Sequence, residues 1–226
     1  MTRTQAIKRI CETGIVPVVR APSGDDALRV IDAIRAGGID VIELTMTVPG
    51  AVKLIEELAK RYGDQVVLGA GTVLDAATAR ACISAGANFV VSPMLDEGMI
   101  ECCRTYGVPS LPGALTPTEI VRAARAGADL VKVFPCNAMG GASYIKSLKA
   151  PLPQVDLVPT GGVSLATVAD FVRAGASAVG AGADLVDVAK VRDGNAGVVT
   201  ENARRYVESI KQARSEAIPP PSPARL

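Results

Sequence analysis

The feature that most constrains this chain is a regular succession of short apolar runs. Eight runs of five to seven residues recur at intervals of roughly 20 to 26 residues, and helical patterns of about a dozen residues, such as 25–37 and 117–127, separate them. This alternation predicts βαβ units and a parallel sheet covered by helices. The predicted strands are residues 16–20, 41–47, 66–72, 89–93, 110–114, 130–134, 156–162 and 177–182.

Eight strands alternating with helices predict an α/β protein with a TIM (β/α)8 barrel fold, preceded by a short N-terminal helix. Ala-Gly pairs close the helices before every second strand, as expected of a barrel built from quarter-barrels. A doubly wound open sheet is the alternative, but strand 1 lacks its usual glycine-rich nucleotide loop. We predict a single barrel domain over residues 1–213 and a disordered, proline-rich tail over residues 214–226.

Composition excludes several classes of function. The 24 basic and 23 acidic residues are spread throughout and aromatic residues make up only 3%, which argues against nucleic-acid binding. The apolar runs are too short to span a membrane, and the N-terminus has no signal-peptide pattern. Five scattered cysteines without zinc-site or CxxC spacing suggest reduced thiols, so we expect a cytoplasmic protein.

The sequence contains no histidine. This excludes Ser-His triads, Cys-His dyads and the usual histidine-rich zinc sites. Acid–base chemistry must therefore use Glu, Asp, Lys, Tyr or water, and we expect no metal and no cofactor.

One lysine interrupts an apolar run, LVKVF at 130–134. Lys132 shares a strand face with Leu130 and Phe134, so it points into the barrel if helices cover the opposite face. Burial favours the uncharged amine, which is a nucleophile toward ketones and forms a Schiff base. The alternative is a buried salt bridge between Lys132 and Glu43.

Glu43 lies in the middle of predicted strand 2, on the same face as Thr45 and Thr47. A carboxylate beside a Schiff-base lysine can shuttle protons for the formation and dehydration of a carbinolamine. The alternative is a structural partner for Arg20 or Lys132. Because the active site of a TIM barrel lies at the carboxyl ends of its strands, we expect these side chains to meet at one mouth.

Two glycine-rich turns, PTGG at 159–162 and GAG at 180–182, follow predicted strands 7 and 8. The corresponding loops bind phosphate in many TIM barrels, since backbone amides reach an anion where side chains are absent. The alternative is that the glycines only serve tight turns. The candidate phosphate-binding residues are Thr160, Gly161, Gly162 and Gly182.

Arg20 and Thr72 end predicted strands 1 and 3. Arg20 can bind a carboxylate or a phosphate in a bidentate manner. It can equally be an exposed charge at a strand end. Thr72 can donate a hydrogen bond to a carboxylate.

The chain resembles the 2-keto-3-deoxy-6-phosphogluconate (KDPG) and 4-hydroxy-2-oxoglutarate (KHG) aldolase family over about residues 5–190. Members of that family are class I, Schiff-base aldolases with a TIM-barrel fold, commonly homotrimers, that need no metal. The segments that carry the resemblance are GIVPVVRA, GIDVIELTMTVP, GAGTVLD, FVVSP, PGALTPTE, LVKVFP and PTGGV.

The resemblance implies a role for several residues. Lys132 matches the Schiff-base lysine, Glu43 the catalytic glutamate and Thr72 the pyruvate-contacting threonine. The phosphate loops match the residues Thr160, Gly161, Gly162 and, near the second loop, Gly182.

The sequence departs from the family pattern at two places. Thr47 stands where some members carry an arginine that helps to hold the pyruvyl carboxylate, and Ala183 stands where some carry a phosphate-binding serine. Arg20, which some members of the family share, is expected to take over the anion-binding role. Backbone amides are then expected to supply more of the phosphate binding.

The implied reaction is cleavage of KDPG to pyruvate and glyceraldehyde 3-phosphate, with KHG, which gives pyruvate and glyoxylate, as a further substrate. The C4-epimeric galactonate phosphate is an alternative substrate. The residues are also compatible with a phosphosugar isomerase or synthase on the same barrel, and with a catalytically silent barrel that serves as a ligand binder or assembly subunit.

Overall fold

The computed structural model describes residues 1–217, and every strand pairing in it is parallel. The strands are β1 (Ile15–Val19), β2 (Val41–Thr45), β3 (Val67–Gly71), β4 (Phe89–Val91), β5 (Ser110–Leu111), β6 (Gly113–Ala114), β7 (Val131–Val133), β8 (Leu157–Pro159) and β9 (Val179–Ala181). The α-helices are α1 (Arg3–Thr13), α2 (Gly24–Ala36), α3 (Ala51–Tyr62), α4 (Ala76–Ser84), α5 (Glu97–Thr105), α6 (Pro117–Ala126), α7 (Ala142–Lys149), α8 (Val168–Arg173), α9 (Val188–Arg192) and α10 (Gly197–Ala217).

Each of the eight predicted runs contains strand, and the short N-terminal helix is present as α1. The α/β class and the parallel arrangement are therefore confirmed. The fifth run differs, because it is split into β5 and β6 at Pro112. Proline has no backbone N–H and cannot donate to the ladder, which accounts for the break.

The strands form a six-stranded sheet in the order β5-β4-β3-β2-β1-β9 and a three-stranded sheet in the order β6-β7-β8. Within each sheet, strands that follow each other in the chain lie side by side, and the first strand lies beside the last. A doubly wound sheet would instead reverse its order near the middle. A parallel bridge between Thr160 and Gly180 also links the ends of β8 and β9.

Buried apolar residues form two clusters, one on each face of the curled sheet. The inner cluster combines alternate strand residues such as Val67, Phe89 and Leu130 with Ala6 and Ile10 of α1. The larger, outer cluster packs the opposite strand faces against the surrounding helices. The outer strand faces are therefore covered by a layer of helices, as in a (β/α) barrel, and α1 is the helix that packs against the inner cluster.

Helix α1 closes the amino-terminal end of the inner cluster. Its Arg3 Nε lies 2.8 Å from Asp129 Oδ1, and its Arg9 binds the Asp40 carboxylate and the backbone oxygen of Gln65. Asp40, Gln65 and Asp129 all come just before strands. The opposite end, where the strands terminate, is left free for a site.

The C-terminal helix α10 continues to Ala217. Residues 214–217, which the sequence predicts to be part of a disordered tail, are therefore helical, and Arg214 donates to the backbone oxygens of Cys11 and Glu12. The remainder of the predicted tail, 218–226, lies outside the described residues. No helix within residues 1–217 has both the length and the apolar character needed to cross a membrane.

Phe89 fills the interior beside β3 because Gly69 leaves space for its ring. A Cβ at position 69 would overlap three ring carbons of Phe89, and the Phe89 side chain is completely buried. Interiors of this density do not absorb an added methyl group without movement of their neighbours.

We expect Gly69→Ala to lower the free energy of unfolding by about 1–3 kcal/mol, because the Phe89 ring must move within a packed interior. Urea unfolding measures the loss. Gly197→Ala at the start of α10, where a Cβ meets nothing within 4 Å, is the matched control and should be neutral or slightly stabilising. Equal stability of the two variants would contradict this account of the inner packing.

Candidate active site

Lys132 is buried at the centre of β7. It lies opposite Gly113 of β6 and Val158 of β8, and its side chain is 4% exposed. Its Nζ lies 5.2 Å from the centroid of the Phe134 ring, while Leu130 belongs to the inner cluster. Lys132 therefore points inward, as predicted from the alternation of the strand.

Glu43 lies opposite Val18 and Gly69 in β2, with its side chain 3% exposed. The distance from Lys132 Nζ to Glu43 Oε1 is 3.9 Å. This is an ion-pair distance but too long for a hydrogen bond. Oε1 has no hydrogen-bond partner within the described residues, so it can accept a hydrogen bond from a third group.

Gly71 at the end of β3 provides the space that the Glu43 carboxylate occupies. A Cβ at this position would overlap Oε1 and lie 2.5 Å from both Cγ and Cδ of Glu43. Sequence reasoning did not reveal this requirement. The glycine in GAGT is a visible signal, but nothing in the sequence pairs it with a carboxylate on the neighbouring strand.

Thr72 follows Gly71 with φ of 59°, and it is the one non-glycine residue with positive φ among residues 1–217. A β-branched residue in this region is strained by about 1–3 kcal/mol. Such strain is concentrated at functional sites. Thr72 is half-buried and directly follows Gly71, the residue that contacts the Glu43 carboxylate.

Thr45 and Thr47 are linked by their hydroxyl groups. Thr45 Oγ1 donates to the backbone oxygen of Val19 at 3.1 Å, and the two hydroxyl oxygens are 2.6 Å apart. Because Thr45 has one proton and uses it on Val19, Thr47 must be the donor to Thr45. The exposed Thr47 hydroxyl can therefore accept a hydrogen bond from a ligand, but it must rotate to donate one.

The two glycine loops line a pocket of about 290 Å³ at the carboxyl ends of the strands. Backbone amides of Gly161, Gly162 and Ala183 have no hydrogen-bond partner within the described part of the chain. The residues that line the pocket are Val18, Arg20, Phe134, Thr160, Gly161, Gly162, Val163, Gly180, Gly182, Ala183 and Asp184. The pocket thus brings together Arg20 and all four predicted phosphate-loop residues.

Different structural constraints act on the individual glycines of these loops. Gly161 and Gly162 have φ of 95° and 76°, a conformation that other residues rarely adopt. Gly180 leaves space for the buried Thr160, whose hydroxyl a Cβ would overlap. A Cβ at Gly182, in contrast, would meet nothing within 4 Å, and its φ is not positive, so neither packing nor backbone geometry requires glycine there.

The neighbouring thiol of Cys136, just after β7, is buried. Burial raises the pKa of this thiol to about 11, so it stays protonated and does not compete with an amine as a nucleophile. Among residues 1–217, no three Cys, Asp or Glu side chains gather as metal ligands.

A buried lysine and carboxylate inside a parallel sheet, with loops suited to an anion at the carboxyl ends of its strands, are features of α/β enzymes that use a lysine amine as a nucleophile. Comparison with known proteins gives the family. The family model for KDPG and KHG aldolases matches residues 6–202. The chain belongs to this family.

Individual relatives agree with this assignment. The chain is 37% identical to a 2-dehydro-3-deoxy-phosphogluconate aldolase of Treponema pallidum, over 76% of this chain and 80% of the relative. It is 31% identical to a 2-dehydro-3-deoxy-6-phosphogalactonate aldolase of Escherichia coli, over 90% and 96% of the two chains. A KDPG aldolase structure from Legionella pneumophila, with pyruvate captured as a covalent carbinolamine, superposes with a TM-score of 0.82 at 28% identity, over 88% and 97% of the chains.

We expect Gly71→Ala to destabilise the protein by about 1–3 kcal/mol because the new methyl group displaces the Glu43 carboxylate. Truncating Glu43 to Ala should remove most of that cost. A double-mutant cycle of Gly71→Ala and Glu43→Ala, read by urea unfolding, therefore gives a coupling of about 1 kcal/mol or more. The same cycle with Gly197→Ala should be additive, and additivity in both cycles would show that the Gly71 contact is not needed.

Proposed function

We propose that this protein is a class I aldolase that cleaves KDPG to pyruvate and glyceraldehyde 3-phosphate, and KHG to pyruvate and glyoxylate. The observation that carries the proposal is the buried, loosely paired Lys132 and Glu43 in a member of the KDPG and KHG aldolase family. A lysine placed there only for stability would be expected to form a close, fully hydrogen-bonded pair.

The first step is attack of Lys132 Nζ on the C2 ketone of the substrate. The attacking form is the uncharged amine, because only that form has the nonbonding electron pair of a nucleophile. Glu43 takes the proton that Lys132 loses on becoming an uncharged amine, and it returns this proton to the hydroxyl of the carbinolamine, which leaves as water so that a protonated imine forms. The Phe134 ring face, 5.2 Å from Nζ, stabilises a positive charge at this nitrogen.

The second step breaks the C3–C4 bond. Glu43, directly or through water, takes the proton of the C4 hydroxyl; the C4–O bond becomes a carbonyl, and the C3–C4 electron pair moves into the imine to form an enamine. The aldehyde leaves. Protonation of the enamine at C3 and hydrolysis of the imine then release pyruvate and restore the Lys132 amine.

The phosphate of KDPG binds in the glycine-loop pocket. Free amides at Gly161, Gly162 and Ala183 supply donors, and Arg20 supplies the positive charge. The open space at Gly182 favours ligand binding over the tight-turn alternative, because no internal contact requires glycine there. Arg20 shares this pocket with the glycine loops, so we assign it to the phosphate rather than to the pyruvyl carboxylate.

The pyruvyl half binds nearer Lys132. Thr72, held at positive φ beside Gly71, is assigned to the pyruvyl carboxylate, and Thr47 contacts the same group after rotation of its hydroxyl. Tolerance of backbone strain at Thr72 supports this role, since a glycine would remove the strain but also the hydroxyl.

The same proposal includes closure of the two sheets into one eight-stranded barrel. The Thr160–Gly180 bridge supports closure on one side. On the other side, β5 and β6 are consecutive halves of one strand, interrupted only at Pro112. If β5 and β6 are counted as one strand, the barrel has eight strands, and each lies beside its neighbours in the chain.

A cytoplasmic homotrimer completes the proposal. Val52, Leu74 and Met94 are exposed large apolar side chains that follow β2, β3 and β4, so they lie on one side of the mouth. Exposed apolar side chains that follow three adjacent strands support a contact surface on this side. The five cysteines are free, which suits a reducing compartment.

Two other functions are alternatives to this proposal. The E. coli relative named for phosphogalactonate supports the C4 epimer as a substrate, since both epimers share the phosphate and the ketone. A phosphosugar isomerase or synthase would use the phosphate pocket but would not need a nucleophilic amine. Lys132→Arg keeps a charge in place, so it would leave such an enzyme partly active but abolish a Schiff-base aldolase.

We expect borohydride reduction in the presence of pyruvate to trap a pyruvyl adduct on Lys132, detected by intact mass and peptide mapping. Lys132→Met should lose the adduct and all cleavage of KDPG. Lys8→Met is the matched control, because Lys8 lies on α1 at the closed end with its side chain 71% exposed. A folded protein that gives no adduct with excess pyruvate would refute the aldolase mechanism.

We expect Arg20→Gln to lower kcat/KM for KDPG at least about tenfold, because it removes a charge-assisted contact to the phosphate. Activity toward KHG, which has no phosphate, should change little. Arg61→Gln on the outer helix α3 is the control, and steady-state kinetics with both substrates is the measurement. Equal losses with both substrates would instead assign Arg20 to the carboxylate that they share.

A further inference from the structure

Two loops meet at the anion pocket and are joined through one carboxylate. Asp184, in the loop after β9, lines the pocket. Its Oδ1 accepts a hydrogen bond from the backbone amide of Leu165, in the loop after β8, at 3.1 Å. The same oxygen accepts from the Tyr206 hydroxyl at 2.5 Å. A single oxygen atom thus links both glycine loops to helix α10.

Tyr206 is built into the fold as a fixed donor. Its side chain is completely buried in α10. Burial first, and then its hydrogen bond to Asp184, raise the pKa of the phenol well above its usual range, so the hydroxyl keeps its proton. Asn202, one turn earlier, donates to the backbone oxygen of Asp184 at 3.4 Å. Tyr206 lies beyond the segment matched by the family model, which ends at residue 202.

A glycine loop needs hydrogen bonds from outside the loop to fix its conformation. Glycine has more conformational freedom to lose than any other residue, so free amides on glycine loops bind an anion well only if something else orders them. Thr167 fixes part of the first loop by donating to the backbone oxygen of Gly162 at 2.9 Å. Within residues 1–217, Asp184 Oδ1 is the side-chain acceptor shared between the two loops.

We propose that the hydrogen bond between Asp184 and Tyr206 is a positioning device that holds the two glycine loops at the separation a phosphate group requires. The inference rests on the proposed function in taking the pocket as a phosphate site. Neither residue belongs to the Lys132 and Glu43 chemistry. The two donors on Oδ1 also offset the negative charge that Asp184 brings to the wall of an anion pocket.

Tyr206→Phe removes the hydroxyl and keeps the packed ring. We expect the KM for KDPG to rise about tenfold, the worth of one hydrogen bond to a charged group, while kcat with KHG and pyruvate trapping on Lys132 stay unchanged. Tyr62→Phe is the matched control, because Tyr62 donates to Asp32 Oδ1 at the same 2.5 Å on the outer helices. It should leave both substrates unaffected.

Variants at the acceptor separate positioning from charge. Asp184→Ala should raise the KM for KDPG at least as much as Tyr206→Phe. Asp184→Asn keeps an acceptor oxygen and should stay within about threefold of the wild-type KM, since a neutral acceptor makes a weaker bond than a carboxylate. An unchanged KM for KDPG in folded Tyr206→Phe, or equal losses with KDPG and KHG, would overturn the proposal.

Inorganic phosphate gives a readout that does not depend on catalysis. Phosphate should raise the melting temperature of the wild-type protein and of Tyr62→Phe, and at the same phosphate concentration the shift should be clearly smaller in Tyr206→Phe. A shift that is equal in all three, or absent from the wild type, counts against the positioning device. Failure of pyruvate trapping with the phosphate shift intact would refute the aldolase chemistry alone.

Discussion

The structure depends on burying an amine and a carboxylate side by side, away from water, without a hydrogen bond between them. Lys132 and Glu43 are both almost fully buried, yet their nearest atoms are 3.9 Å apart and Glu43 Oε1 has no hydrogen-bond partner within the described residues. Two ionisable groups so arranged contribute little to stability. The fold accommodates them through the register of β2 and β7 and through an inner cluster that supplies the apolar surroundings.

Much of this arrangement follows from period-two alternation, which is a local property. The sequence therefore predicts the eight strand positions, the inward direction of Lys132, and the face that Glu43 occupies. The break at Pro112 also has a local cause. The sequence pattern does not predict it, because the apolar run 110–114 continues through the proline. The predicted start of the tail at residue 214 falls too early for a similar reason: the polar face of α10 resembles the start of a tail.

Contacts between distant parts of the chain could not be predicted in this way. Gly71 is glycine because of Glu43, and Gly69 because of Phe89, although each pair lies on different strands. The hydrogen bond between Tyr206 and Asp184 joins residues 22 positions apart, and no sequence motif indicates it. Periodicity assigns a side chain to a face of the sheet, whereas these contacts require the three-dimensional register.

Closure of the amino-terminal end by α1 has a consequence for the order of events. Ala6 and Ile10 fill that end of the interior, so a molecule next to Lys132 enters and leaves through the same mouth that holds the anion pocket. In the proposed reaction, the aldehyde product lies between the bound three-carbon fragment and solvent. Release is therefore sequential, with the aldehyde first and pyruvate last. In the reverse direction pyruvate binds first, so the outer pocket alone determines which aldehydes can condense with it.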